Sequence, residues 1–247
     1  MVNNNKWKRP ENVPFPSVWR TFERKETDGA IKKYWVQDLV PEYEDIFLKN
    51  YEDVYLKEEA LYKYSKISED PQAIEHKKNL YRSCMNNRMV LICLTEDANG
   101  HEELVGGNIF LVLQKSDEGN NRENITPAEE ICISIIQYVR KCKNVYEELN
   151  VEEYLTGCGL YIMPKFRGRG IGREILKARR EFGLATNLKC EATIFTCIQS
   201  QKNAEKAGFV NIVEIKYEDF EKINPLWNLS GITPYAKTLK YMYLKYE

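Results

Sequence analysis

The stretch best equipped for chemistry is CGLYIMPKFRGRGIG, Cys158 to Gly172. An apolar run, Cys158 to Met163, stops at Pro164. A basic glycine-rich turn follows: Arg167, Gly168, Arg169, Gly170, Ile171 and Gly172. Behind it Ile171, Ile175, Ala178 and Phe182 recur at the spacing of one helix face. Strand, glycine turn and helix start together aim several backbone N–H groups outward at the positive end of a helix. Such a place takes an anion, above all phosphate, and glycines let a bulky phosphate reach the main chain without meeting a Cβ.

Three phosphate-binding patterns compete for this turn. A nucleotide P-loop, GxxxxGK[ST], needs a Lys-Ser or Lys-Thr that does not follow these glycines. A dinucleotide fingerprint, GxGxxG, fits Gly168 and Gly170 but lacks its third glycine, and the turn comes late in the chain, after antiparallel strands rather than in an opening βαβ unit. The pattern [RQ]xxGxG matches at Arg167, Gly170 and Gly172. The plainer alternative is a tight strand-to-helix turn that binds nothing, and the motif alone leaves both open.

The whole chain narrows the setting. Its 247 residues are 43% hydrophobic and 30% charged, so it has the material for a large packed core and is not disordered. A net charge of −1 is no nucleic-acid footprint. No apolar run approaches the roughly 20 residues of a membrane span. The opening MVNNNKWKRPENVPFP has no apolar core of a secretory signal, so a cytoplasmic setting is the expectation. Seven scattered cysteines without a CxxC pair read as reduced thiols, neither a disulfide framework nor a zinc site. Two histidines, His76 and His101, supply a histidine triad or metal site poorly, and no metal is expected.

The elements that must position the turn read as follows. Residues 1–16, with Pro10, Pro14 and Pro16, read as a flexible arm ahead of one domain spanning 17–247. Ser17–Lys25 and Ala30–Val36 flank an Asp28-Gly29 turn and read as a hairpin. A helical region opens at Pro41, is interrupted near Tyr55–Tyr64, and resumes at Pro71. Arg88–Thr95 and Glu103–Gln114 form an antiparallel pair, with Gly106-Gly107 marking a bulge or a close backbone approach. After a polar loop, Ser116–Thr126, a helix capped by Thr126 and Glu129 runs from Pro127 to about Glu148. Cys190–Cys197 reads as a strand, Ser200–Ala207 as a helix and Gly208–Lys216 as a strand. Asp219–Pro234 reads as a long loop before a last strand, Thr238–Tyr246.

The run TGCGLYIMPKFRGRGIGREIL resembles the coenzyme-A-binding core of the GCN5-related N-acetyltransferase (GNAT) superfamily. Lys206-Ala207-Gly208-Phe209 is similar to the Gly-Phe turn that closes the superfamily's next helix, and the element order from Arg88 onward follows the superfamily's. The resemblance implies the α/β GNAT fold, a mixed, mostly antiparallel central sheet flanked by helices with a V-shaped splay between its two central strands. It implies acetyl-CoA as co-substrate, held by Leu160, Tyr161, Ile162, Arg167, Gly168, Arg169, Gly170, Ile171, Gly172 and Arg173.

Within the superfamily the chain looks most like the insect arylalkylamine N-acetyltransferases. Tyr55-Leu56-Lys57-Glu58-Glu59-Ala60-Leu61 is similar to that group's aromatic-Lys-Asp-Glu-Pro-Leu stretch, whose catalytic glutamate falls on Glu59. Ala60 stands where the group has proline, and Glu58 is the fallback base. Of the group's paired serines Ser200 remains, and the earlier position is Cys197. The tyrosine that serves many superfamily members as acid to the leaving thiolate is Ala204 here, as the insect enzymes also lack it.

What the resemblance implies is acetyl transfer to the primary amine of a small molecule, an arylalkylamine or a polyamine or agmatine-like cation, with Glu59 as general base. Ser200 would bond the coenzyme or protonate the thiolate. Trp35, Tyr51, Tyr55, Tyr62 and Tyr64 would line an amine pocket or serve as plain core. A monomer is expected, with neither nucleic acid nor membrane as partner. The competing readings are a protein or peptide acetyltransferase and a catalytically silent acyl-CoA-binding module.

Overall fold

The computed structural model describes residues 7–26, 29–117 and 124–246. Strands β1 (Val18–Lys25) and β2 (Ile31–Asp38) pair antiparallel, as the hairpin reading expects; Asp28 of its turn lies outside the described residues. Residues 1–6 of the expected flexible arm also lie outside them. From Trp7 on, the segment is anchored rather than loose. Trp7 is buried in the core, and Arg9 donates to both oxygens of Asp38 at 2.8 and 3.0 Å. Asp38 also accepts from the Ser17 N–H and the Trp19 indole, so one buried carboxylate gathers the arm and β1 onto β2.

Helices α1 (Glu44–Asn50), α2 (Leu56–Glu58), α3 (Ala60–Tyr64) and α4 (Pro71–Asn86) follow, with a π-helical turn at Tyr51–Tyr55 between α1 and α2. Aromatic spacing alone cannot show such a turn, which is an irregularity that occurs often at functional sites. Asp70 caps α4 by accepting from the Gln72 and Ala73 N–H groups, ahead of Pro71 at the first helical position.

Strands β3 (Val90–Glu96) and β4 (Glu102–Gln114) pair antiparallel, with a register shift opposite Gly106. The close approach expected there is present. A Cβ at Gly106 would lie 2.3 Å from the Tyr161 carbonyl oxygen, and one at Gly107 would lie 2.5 Å from the Phe47 ring.

The helix expected from Pro127 to about Glu148 is two: α5 (Pro127–Cys142) and α6 (Val145–Leu149). Asn144 takes an extended conformation and caps α6 through the Tyr146 N–H at 3.0 Å, which ends the continuous helix. The Thr126–Glu129 capping box of α5 is formed. Then come β5 (Glu153–Ile162), α7 (Ile171–Ala185), β6 (Cys190–Phe195), α8 (Ile198–Ala207), β7 (Val210–Lys216), α9 (Tyr217–Ile223) and β8 (Thr238–Lys245). Helix α9 occupies the start of what reads in sequence as a long loop. Its inward residues Tyr217 and Phe220 are buried.

The eight strands lie in one sheet in the order β1-β2-β3-β4-β5-β6-β8-β7, antiparallel except where β5 meets β6. That parallel contact is a single pair, Leu155 with Glu191. Beyond it β5 continues to Ile162 and β6 to Phe195 without pairing to each other, so the sheet opens into a V at its centre. This is the splay that the family resemblance implies. Two main apolar clusters support the sheet, one around Phe47, Phe110 and Phe182, the other around Ile135, Phe220 and Tyr241. None of the seven cysteines is in a disulfide. Among the described residues no helix is long and apolar enough to cross a membrane.

Candidate active site

The V is the floor of a cleft of about 1410 Å³. One wall is the glycine turn. Pro164, which has no N–H to extend a ladder, ends β5 and starts a single 3-10 turn, Pro164–Phe166. Gly168 (φ +82°) and Gly170 (φ +70°) then take left-handed conformations that disfavour side chains. No side chain caps α7, so the N–H groups of its first turn remain available to a ligand. The space above Gly168 is open: a Cβ there would meet nothing within 4 Å. The helical face expected behind the turn is fully used, with Ile171, Ile175, Ala178 and Phe182 all buried.

The cleft is lined by Leu160, Tyr161, Ile162, Arg167, Gly168, Gly170, Ile171 and Gly172, so most of the expected anion-site residues converge. Arg169 and Arg173 are not among its lining residues. Arg169 pairs with Glu26 at 2.8 Å, and Arg173 with Glu174 at 3.1 Å. Glu174 also accepts from Arg20 and Arg24 at 2.7 Å. Burial alone would raise its carboxyl, but these hydrogen bonds hold it below the ordinary range. Arg167 lines the cleft, yet its guanidinium pairs with Glu58 at 2.8 Å across the opening. Positive charge that the motif does not reveal comes from α8, where Lys202 and Lys206 line the same wall. A basic i, i+4 pair on one helix face was the available signal.

The splay needs support where strand pairing fails. The Gly157 N–H, which finds no backbone acceptor on β6, donates to the Thr193 hydroxyl at 3.0 Å. Arg179 of α7 is buried beneath. It reaches Glu191 at 2.5 Å, Thr193 at 3.2 Å and the Asn108 side-chain oxygen at 3.1 Å. Asn108 in turn donates to the Gly159 carbonyl at 2.6 Å. One cation thus ties β4, β5 and β6 together at the point of the V. A bulge at Cys158, between the pairs Ile109–Gly159 and Phe110–Gly157, lies just above it.

The opposite wall comes from the helices between β2 and β3. The Glu59 N–H closes α2 by donating to the Tyr55 carbonyl. Glu59 itself turns extended (φ −63°, ψ 129°), and its side chain caps α3 by accepting from the Tyr62 N–H at 2.8 Å. Ala60 is the first residue of α3, a position that suits proline but does not require it. The cap sets the break, so exchanging proline for alanine leaves Glu59 at a helix junction. The second carboxylate oxygen accepts from the Thr196 hydroxyl at 2.5 Å, at the open end of β6. Burial raises the Glu59 carboxyl above its ordinary value, while the bonds from Thr196 and Tyr62 and the charge of Lys77 oppose the shift.

Ser200 lines the cleft, but its hydroxyl donates to the Cys197 carbonyl at 2.8 Å within the first turn of α8. The strand expected to run to Cys197 ends at Phe195, and Cys197 is half-buried at the N-cap of the following helix. Ala204 is packed among Leu176, Phe195, Phe209 and Met242. Of the aromatic candidates Tyr55 and Tyr62 line the cleft. Tyr51 is core, its hydroxyl donating to that of Tyr81 at 2.6 Å, and Tyr64 packs on Tyr235. Lys77 and Arg140 also line the cleft and are not evident from motifs. Among the described residues no cluster of three or more His, Cys, Asp or Glu side chains is placed to hold a metal.

No protein-family model matches the chain, and no curated protein does. Solved structures do match. Arylalkylamine N-acetyltransferase 7 of the yellow fever mosquito Aedes aegypti, whose activity is itself an assignment, is 33% identical with a TM-score of 0.89, over 98% of this chain and 100% of that one. Arylalkylamine N-acetyltransferase 2 of the same mosquito is 16% identical (TM-score 0.68, 87% of this chain and 99% of that one). An agmatine N-acetyltransferase is 14% identical (TM-score 0.70, 86% and 99%). The last two share the fold. With a third of its residues in common with the first over nearly the whole length, the chain belongs to the arylalkylamine N-acetyltransferase-like proteins of the GCN5-related N-acetyltransferase superfamily.

Proposed function

We propose that this protein transfers the acetyl group of acetyl-CoA to the primary amine of a small molecule by direct attack, with Glu59 as general base. The observation that carries this reading is the placement of Glu59. A desolvated carboxylate is bonded to Thr196 at the open end of the splay, in the same cleft as the uncapped N-terminus of α7. The family's solved members named for arylalkylamine and agmatine acetylation support an amine as acceptor.

The residues fit the coenzyme. The open surface at Gly168 and the free N–H groups at the start of α7 suit its pyrophosphate, and Arg167, Lys202 and Lys206 suit the remaining phosphate charge. The thioester supplies the activated acetyl group. Backbone N–H groups of β5 between Leu160 and Ile162 are the candidates to stabilise charge developing on its oxygen. An alkylammonium has no lone pair, so Glu59 takes a proton from the acceptor, and its raised pKa makes it the stronger base. Ser200, once it leaves the Cys197 carbonyl, is the candidate donor to the departing sulfur. Seven cysteines outside any disulfide support a reducing compartment such as the cytoplasm.

The Glu58–Arg167 pair competes with the coenzyme for Arg167. Both side chains are about half exposed, so the pair is worth at most about 1 kcal/mol. Glu58→Gln is therefore expected to tighten CoA binding about 2- to 5-fold in calorimetric titration. Unchanged or weaker binding would show that Arg167 does not serve the coenzyme.

Labelled acetyl-CoA offered with a panel of small amines and a panel of peptides tests the acceptor class. Label is expected in the small amines. Label in peptide amino groups alone would overturn the reading in favour of a protein acetyltransferase.

A further inference from the structure

The acceptor half of the cleft carries more positive charge than an amine site should. Lys77 sits on the buried stripe of α4 between Ala73 and Tyr81. It is 5% exposed, with its ammonium 5.0 Å from the Tyr62 ring centre, and its charge acts on Glu59. Arg140 shares a face of α5 with Ile133, Ile136 and Gln137, all lining the cleft. Its Nε is buried without a hydrogen-bond partner, and among the described residues no carboxylate pairs with its guanidinium. Its neighbours are the phenols of Tyr146, Tyr154 and Tyr241. The Tyr154 and Tyr241 hydroxyls bond each other at 3.0 Å, and burial pushes the Tyr241 phenol well above its ordinary range, so it stays neutral. Glu58, the other acid of the region, is committed to Arg167.

Lys77 offsets Glu59, which leaves Arg140 uncompensated. A simple amine arrives as an ammonium and adds a second positive charge; a diamine or agmatine adds a third. Unpaired charge in a partly dry cleft is unfavourable. An acceptor that brings its own anion restores the balance, and a guanidinium fork matches carboxylate and phosphate oxygens.

We propose that the acceptor is a primary amine carrying an anionic group at its far end, a carboxylate or a phosphate ester, which seats on Arg140 while the amine lies at Glu59. The proposal rests on the amine-acetyltransferase reading above. It departs from the polyamine or agmatine-like cation that the family resemblance offers as one acceptor.

The test uses the full chain and primary amines of equal length ending in a methyl, a carboxylate, a phosphate or a second amine. Wild-type kcat/KM is expected to favour the carboxylate or phosphate over the methyl about 10- to 100-fold, the worth of a charge-assisted hydrogen bond. The second amine should be the poorest, and the better of the two anions identifies the group. Arg140→Gln should cut the anion-to-methyl ratio at least about tenfold through KM, and Arg140→Lys should keep part of it, which separates lost charge from a disturbed fold. A wild-type preference for the methyl or the diamine, or a ratio unchanged in Arg140→Gln, overturns the proposal. Calorimetric binding of the same amines to the CoA-loaded chain reads the preference without turnover. Anion-selective binding without acetylated product would sink the proposed function and uphold the anion subsite. Acetylation without anion preference would do the reverse.

Discussion

Glu59→Gln is expected to lower kcat/KM for amine acetylation by about 10²- to 10⁴-fold, the usual worth of a positioned general base. The amide keeps the size of the side chain and an oxygen for the Tyr62 N–H, so the cap on α3 survives in outline. It cannot take a proton from an ammonium. CoA affinity should not change, because Glu59 stands on the wall opposite the glycine turn. The pH dependence carries the sharper signature. The active form of Glu59 is the carboxylate, and burial raises its pKa. Activity should therefore fall, as pH drops, at a value above the ordinary glutamate range. In Glu59→Gln that acidic limb should vanish, leaving the titration of the amine. A limb that persists would assign the base to another group.

Arg179→Ala is expected to destabilise the protein by about 3–5 kcal/mol, the cost of breaking a buried ion pair from one side. Glu191 is fully buried, and one of its oxygens already lacks a hydrogen bond. Burial raises its carboxyl, and Arg179 is the main opposing influence. Removing Arg179 also strips partners from Thr193 and Asn108, which replace the missing strand pairing at the point of the V. Urea unfolding followed by circular dichroism reads the loss. Arg179→Met combined with Glu191→Leu should regain most of it, since a volume-matched apolar pair often equals a buried ion pair in stability. A single variant within about 1 kcal/mol of wild type would be that of a surface-like arginine, and would contradict the role given to this network.

The glycine turn was legible because all its determinants are local. Pro164 stops a strand, two left-handed glycines turn the chain, and the next face is apolar over four helical steps. The helix start at Pro71 and the cap at Thr126 were legible for the same reason. The π-helical turn at Tyr51–Tyr55 was not, because its aromatic spacing also suits an ordinary helix. The split of α5 from α6 hangs on the cap at Asn144, which the apolar pattern passes over. Sheet order and the splay are long-range properties that came only from the family resemblance. Arg179 and Glu191 are 12 positions apart on a helix and a strand, and nothing between them announces a buried pair. Lys77 and Arg140 look like ordinary surface charges in sequence. Only the packing of α4 and α5 reveals that they sit on inward stripes. Glu59 is the mixed case. The resemblance names the residue, and its contacts, the cap to Tyr62 and the bond from Thr196, are visible only in the fold.

Amine-dependent thiol release from acetyl-CoA by the wild-type chain tests the central claim most directly. The expected result is release that saturates with a primary amine and yields one N-acetylated product per thiol. Firm coenzyme binding with release no faster than the amine-free background, for every amine offered, would contradict it.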